Sequence, residues 1–206
     1  MKLETMLRFL LLLILLCLIV GCGAFQTSIP VQPLQSGLAS KDDFQGGWTW
    51  PTDQQGISGP EIVVLAGQKV EKATIYFLGK SRITGDGFLL QHFLYRYQEQ
   101  LSTNYTDTFS LGSFEPGSTD LLFDIQTMGA VSQSKCVIAV TKLLYCSIRA
   151  KYRYVESQLN ILGYWKGSQQ DFETLVNQTI TKLNTKVKAI DEPYSAISPV
   201  QTTLAP

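Results

Sequence analysis

The clearest apolar pattern lies near the end of the chain, between residues 168 and 190. Apolar side chains recur there at spacings of three, four and seven residues, which predicts a helix with one buried stripe. Ser168 with Asp171 three residues later is typical of a capped helix start, and Pro193 predicts the end. The stripe consists of Phe172, Leu175, Val176, Thr179, Ile180, Leu183 and Val187.

Alternation of apolar and polar residues predicts strands over much of the remaining chain. Residues 136–155 are predicted to be extended, with clear alternation from Leu144 to Tyr154, but 20 residues exceed the usual strand length of about 3–10 residues. We therefore predict an irregular turn near Thr141. Shorter strands are predicted at 61–66, 70–78, 104–114, 121–126 and 159–165.

Residues 88–101 fit two interpretations. Their leucines and aromatic residues can form one apolar stripe of a helix, whereas the aromatic content also fits a strand. We predict a helix here. Together these elements predict an α+β fold, in which an antiparallel β-sheet carries two amphipathic helices packed on one face.

An apolar run near the start of the chain is too short to cross a bilayer. Phe9–Val20 contains 12 residues, about 18 Å of helix against roughly 30 Å of hydrocarbon. Lys2 and Arg8 precede the run, as is typical of a secretory signal peptide.

The run ends in Leu18-Ile-Val-Gly-Cys22, which resembles the lipobox of bacterial lipoproteins. The resemblance implies that residues 1–21 are removed and that the thiol of Cys22 receives a diacylglyceryl group. A secretory signal with an accidental cysteine is the alternative. Gly23 after the cysteine implies residence at the outer membrane in a cell with two membranes.

Composition divides the rest of the chain. Residues 22–43 contain the lipidated cysteine and a tether rich in Gln, Ser, Pro and Gly, which predicts flexibility. Residues 44–190 form one extracytoplasmic domain. Residues 191–206 contain three prolines and many small polar residues, and we predict a disordered tail.

Four segments resemble small periplasmic lipoproteins of the YajG type, and more distantly lipopolysaccharide-assembly lipoproteins and the N-terminal domain of TolB. The segments are Gly87–Leu94, Asp120–Gln126, Ser147–Tyr154 and Asp171–Val176. The resemblance implies an α+β domain with both helices on one sheet face and an accessory role in the cell envelope. The resemblance does not identify any functional residue in this chain.

The residue chemistry gives little support for catalysis. Basic and acidic residues number 17 each, so no net charge suggests a nucleic-acid partner. No Gly-rich phosphate loop, nucleophile elbow or paired histidine occurs, and we predict no cofactor, no metal and no enzymatic activity. His92, the only histidine, is predicted to be structural.

Two groups of residues are candidates for binding. Trp48 and Trp50 could stack on sugar rings, although closing one end of the core is the favoured interpretation. Arg149, Lys151 and Arg153 alternate along a strand as a basic stripe, which could meet anionic lipid heads or an acidic partner. An ordinary solvated sheet face is the favoured alternative for the stripe.

Two cysteines remain once Cys17 leaves with the signal and Cys22 carries lipid. In an oxidising compartment Cys136 and Cys146 are expected to form a disulfide, provided that the chain folds back near Thr141. The predicted function is that of a lipoprotein held on the membrane, acting with an envelope protein partner in assembly or interaction. A lipid- or glycan-binding module is the first alternative and a hydrolase the last.

Overall fold

The computed structural model describes residues 32–44, 48–49, 55–81, 87–102, 117–164 and 167–197. The chain divides into two compact units, Met1–Pro30 and Val31–Pro206, and all described residues belong to the second.

Eight antiparallel strands form one sheet in the described part of the chain. The spatial order is β1-β3-β4-β8-β7-β6-β5, and β2 pairs with the same edge of β3 as β1 does, further along that strand. The strands are β1 (Trp48–Thr49), β2 (Gln55–Leu65), β3 (Gln68–Ser81), β4 (Gly87–Arg96), β5 (Thr119–Leu121), β6 (Val131–Ile138), β7 (Leu143–Lys151) and β8 (Val155–Tyr164).

One long helix, α1 (Gln169–Ile197), covers one face of the sheet, which we call the inner face. Alternate residues of the central strands are buried there in rows; one row runs from Phe77 through Leu90 and Ile161 to Cys146. The predicted stripe of α1 is confirmed, because all seven of its residues are buried. The architecture is therefore α+β, with an antiparallel sheet and a long helix packed against it.

The start of α1 is as predicted, but its end is not. Ser168 Oγ donates to Asp171 Oδ2 (2.7 Å), and the Asp171 N–H donates back to Ser168 Oγ (3.2 Å). The helix continues through Pro193 to Ile197, so the disordered tail predicted from residue 191 is wrong over its first seven residues. Burial of Ile190 and Asp191 fixes this turn of the helix to the domain.

The helix predicted at residues 88–101 is a strand, β4, and this prediction was wrong. Phe88, Leu90, His92 and Leu94 alternate into the inner face, which is the period of a strand. Three of the four intervening residues, Leu89, Phe93 and Tyr95, are themselves apolar or aromatic, and all four are half-buried on the opposite, outer face. Apolar residues on both faces imitated the spacing of a helix, so α1 is the only amphipathic helix of the predicted pair.

The flexible tether predicted up to residue 43 is folded from about residue 34 onward. Two 3-10 helices, Leu34–Gly37 and Lys41–Phe44, pack against the core, and Leu34 and Leu38 are buried. Asp43 Oδ2 accepts hydrogen bonds from the Ser40 N–H (2.7 Å) and from Lys186 Nζ (2.5 Å) on α1. The few large apolar residues of this segment therefore contribute directly to the core.

Residues 122–128 lie along α1 and hydrogen-bond to its side chains, although a strand was predicted at 121–126. The Asp124 N–H donates to Glu173 Oε1 (2.9 Å), and the Gln126 N–H donates to Asn177 Oδ1 (2.7 Å). Glu173 and Asn177 are four residues apart on the helix, which is a rise of about 6 Å, and Asp124 and Gln126 are two residues apart in extended chain, which is about 6.6 Å. Because these two spacings nearly match, alternate N–H groups of the segment meet side chains of α1 that are four residues apart. The hydrogen bonds from Gln169 and from the Asp124 N–H lower the pKa of Glu173.

The turn predicted near Thr141 is confirmed. It joins β6 to β7, and Lys142 adopts a positive φ of 66° there. The hairpin places Cys136 directly opposite Cys146, with Cα atoms 4.1 Å apart and a disulfide between them. The predicted disulfide is therefore present.

Reduction of this disulfide is expected to lower the free energy of unfolding by about 2–3 kcal/mol, because the bond closes a loop of 10 residues in the unfolded chain. Urea unfolding with and without dithiothreitol measures the difference. The double variant Cys136→Ala/Cys146→Ala is the control and should not respond to the reductant. Equal midpoints for the oxidised and reduced wild-type protein would contradict this expectation.

Candidate functional surfaces

The two tryptophans singled out from the sequence lie at the limit of the described residues. Trp48 lies in the two-residue strand β1, opposite Ser81 at the end of β3. Trp50 lies outside the described residues. A sugar-stacking pair stays a prediction.

The three residues of the predicted basic stripe do not lie in one row on the sheet. Arg149 and Lys151 lie on the outer face of β7, but Arg153 lies in the bend between β7 and β8. Arg149 donates from Nε (3.0 Å) and Nη2 (2.6 Å) to Glu156 Oε1 on β8. Because the buried Glu156 accepts both of these hydrogen bonds on one oxygen, the charge of Arg149 is largely matched within the domain.

Polar side chains around this ion pair form hydrogen-bonded groups on the outer face. Tyr97 donates its hydroxyl to Glu156 Oε2 (3.2 Å), and burial together with this carboxylate raises the pKa of Tyr97. Nearby, Ser147 Oγ donates to Asn160 Oδ1 (2.6 Å). Partners on neighbouring strands satisfy these groups, which is typical of a structural network.

His92 is a core histidine. The Ala39 N–H donates to Nδ1 (2.9 Å), so the neutral ring carries its proton on Nε2 and donates it to Ser157 Oγ (2.9 Å). A histidine that activates a serine must accept the hydroxyl proton, and this tautomer does the opposite. Burial lowers the pKa of His92 from 6.5 to about 3, with Asp43 opposing the shift.

This shift makes stability depend on pH. Between about pH 3 and 6.5 the unfolded chain binds a proton at His92 that the folded protein does not, so stability falls as the pH falls through this range. We expect His92 to account for about 2 kcal/mol less stability at pH 5 than at pH 7. Urea unfolding at both pH values measures the loss.

His92→Gln can keep both hydrogen bonds of the imidazole and does not titrate, so it is the matched control. Its loss of stability between pH 7 and pH 5 should be smaller than that of the wild type. Equal losses in the two proteins would show that His92 titrates normally in the folded state.

Strand β2 carries an exposed apolar surface that sequence patterns did not single out. Ile57, Ile62 and Val64 point to the inner face, and Ile62 and Val64 are each 67% exposed. Within the described chain β2 pairs only with β3, so its other edge is open between Glu61 and Leu65. The run Ile62-Val63-Val64 was visible in the sequence as a strand, but its position at the sheet edge was not.

Two kinds of structural feature are absent from the described residues. No group of histidine, cysteine and carboxylate side chains is arranged there to hold a metal ion. No helix in that part of the chain has both the length and the apolar character to cross a membrane.

Comparisons with known proteins add no relative. No family model matches the chain, and neither a curated protein nor a solved structure is detectably similar to it.

Proposed function

We propose that the chain is a bacterial lipoprotein, anchored through a diacylglyceryl group on Cys22, whose α+β domain acts as a non-enzymatic interaction module of the cell envelope. The observation that carries the proposal is the sequence Leu18-Ile-Val-Gly-Cys22 directly after a short apolar run. In a cell with two membranes, Gly23 after the cysteine favours the outer membrane.

The Cys136–Cys146 disulfide supports an extracytoplasmic location. Disulfides persist in oxidising compartments and are rare in the reducing cytosol. The two cysteines are also buried, so the bond belongs to the core of the domain. An exported, lipid-anchored protein would fold where such a bond forms.

The start of the folded domain supports a short connection to the membrane. The first folded element, the 3-10 helix Leu34–Gly37, begins 12 residues after Cys22. Twelve residue steps span at most about 43 Å when fully extended. A domain held this close to a bilayer can reach partners in or beside the same membrane.

An interaction role rests on the exposed surface of β2. Exposed apolar side chains along an open strand edge are a feature that proteins usually suppress unless the edge is used. By contrast, the Arg149–Glu156–Tyr97 and Ser147–Asn160 groups on the outer face have hydrogen-bond partners within the domain. The β2 edge is therefore the surface that we assign to a partner.

Replacing the anchoring cysteine tests the proposal. Cys22→Ala is expected to move the protein from the detergent phase to the aqueous phase in Triton X-114 partitioning, because acyl chains supply its membrane affinity, about 0.8 kcal/mol per buried CH₂. Cys17→Ala is the matched control and should behave like the wild type. Partitioning of Cys22→Ala into the detergent phase to the wild-type extent would refute lipid anchoring at this residue.

A further inference from the structure

We propose that two copies of this chain pair through strand β2, antiparallel and centred on Val63, so that their sheets become continuous. The occupant of the open β2 edge is thus a second copy. This inference names a partner for the surface assigned in the proposed function. It rests on that proposal only because the lipid anchor would raise the concentration at which two copies meet.

The hairpin between β2 and β3 determines which backbone groups face outward. Ala66 and Gly67 form its two-residue loop, with φ angles of 48° and 82°, as in a type I′ turn. Such a loop closes on a hydrogen-bonded pair, here Leu65 with Gln68, and bonded pairs then alternate along the strand. The N–H and C=O groups of Ile62 and Val64 therefore point away from β3, to the open edge.

One antiparallel register uses all four of these groups. It places Ile62 opposite Val64 of the second copy, Val64 opposite Ile62, and Val63 opposite its own equivalent. The Ile62–Val64 pairs are then the hydrogen-bonded ones, and the exposed Ile62 and Val64 side chains meet on the inner face. The edge is self-complementary, as a two-fold interface requires.

Neighbouring registers are less favourable. Moving the strands one way places Val64 opposite Pro60, which has no N–H to donate. Moving them the other way places Ile62 opposite Ala66 in the hairpin turn. A bulge between Ser58 and Glu61 also interrupts β2, so regular pairing is limited to Glu61–Leu65.

Charges beside this edge are compatible with pairing. On β3, Lys69 is the partner of Val64 and Glu71 is the partner of Ile62, on the same face. Across the two copies, neighbouring side chains on the inner face would follow one another in the order Lys69 and Val64 of one copy, then Ile62 and Glu71 of the second copy. Opposite charges would therefore lie at the two ends of each such row. Glu61 is already paired with Lys72 (3.2 Å) and would face Leu65, so no like charges oppose each other.

The size of the edge predicts a weak association. A standard interface buries about 800 Å² on each partner, more than a strand of five residues supplies. Copies free in solution would therefore remain mostly monomeric at low concentration. Anchoring to one membrane raises the effective concentration and favours the pair.

A cysteine at the two-fold position tests the pairing in membranes of cells that express the full chain. In the proposed register Val63 lies opposite its equivalent in a non-hydrogen-bonded pair, with Cα atoms about 4.5 Å apart. The native Cys136–Cys146 bond joins opposite strands at a similar 4.1 Å. Val63→Cys, oxidised with copper phenanthroline, should give a disulfide-linked species of twice the chain mass on non-reducing gels.

Ser58→Cys is the matched control, on the same strand and sheet face but beyond the bulge. Its equivalents would lie about 33 Å apart in the proposed dimer, so we expect at least about tenfold less dimer than with Val63→Cys. Equal cross-linking of the two variants would overturn the proposal. So would a Val63→Cys adduct whose mass shows a different protein, because the edge would then serve another partner.

A second pair of variants covers the case in which Val63→Cys does not accumulate. In the chain with native cysteines, membranes treated with an amine-reactive cross-linker should yield less dimer for Ile62→Asp/Val64→Asp than for Ile57→Asp, which changes an exposed residue of the same face outside the register. Equal yields would overturn the proposal. Sedimentation of the same samples with membranes reports the anchor separately, so loss of pairing and loss of anchoring are distinguishable.

Discussion

Replacing Leu183 with aspartate is expected to abolish the cooperative folding of the domain. Leu183 belongs to the buried stripe and lies at the midpoint of α1, among core residues such as Ile148 and Leu159. An unpaired carboxylate there costs several kcal/mol, comparable with the total stability of a small domain, about 5–15 kcal/mol. Urea unfolding followed by circular dichroism should show either no transition or a midpoint far below that of the wild type.

Lys188→Asp introduces the same side chain on an exposed position of α1 and is the control. It should change the free energy of unfolding by less than about 1 kcal/mol. If the two variants unfold at the same urea concentration, α1 does not face the sheet as described.

Replacing Asp191 with alanine is expected to lower the free energy of unfolding by about 3 kcal/mol or more. Its buried carboxylate accepts hydrogen bonds from three successive backbone N–H groups in the bend between β7 and β8: Arg153 (3.1 Å), Tyr154 (2.7 Å) and Val155 (3.0 Å). Alanine leaves these donors without an acceptor, and each buried, unsatisfied donor costs about 1–3 kcal/mol. Urea unfolding at neutral pH measures the loss.

The neighbouring Glu192 is exposed and provides the control, since Glu192→Ala removes a carboxylate at the next position of the same helix. Amide hydrogen exchange at Tyr154 and Val155 adds a local measurement and should accelerate only in Asp191→Ala. Unchanged stability and exchange in that variant would mean that the carboxylate does not hold this bend.

The part of the fold that could be predicted from the sequence is the part with one-sided patterns. The stripe of α1 and the alternation of Ala73, Ile75 and Phe77 in β3 each have one apolar and one polar face, so the period is unambiguous. The disulfide followed from elimination among four cysteines together with the length of residues 136–155.

Strand β4 could not be predicted, because a central strand that is apolar on both faces has no distinct period. The segment 122–128 presented a different difficulty. Phe123 and Ile125 alternate into the core as in a strand, and Leu122 is 90% exposed, but the hydrogen-bonding partners are side chains of α1. The alternation of apolar residues shows which side chains are buried, but it does not show which element their backbone groups hydrogen-bond to.

The candidate surfaces were the least predictable feature. Arg149, Lys151 and Arg153 alternate in the sequence, yet the bend at Tyr152–Tyr154 removes Arg153 from the face, and Glu156 binds Arg149. The exposed edge of β2 depends on the order of strands in the sheet, which only tertiary pairing determines. Sequence position alone does not show whether a strand is central or at an edge.

Mass spectrometry of the mature N-terminus, on protein extracted from membranes with detergent, determines whether the chain is anchored through Cys22. We expect that the first residue is Cys22 and that its thiol carries a diacylglyceryl group. A mature protein that begins at another residue, or a Cys22 with an unmodified thiol, would contradict it.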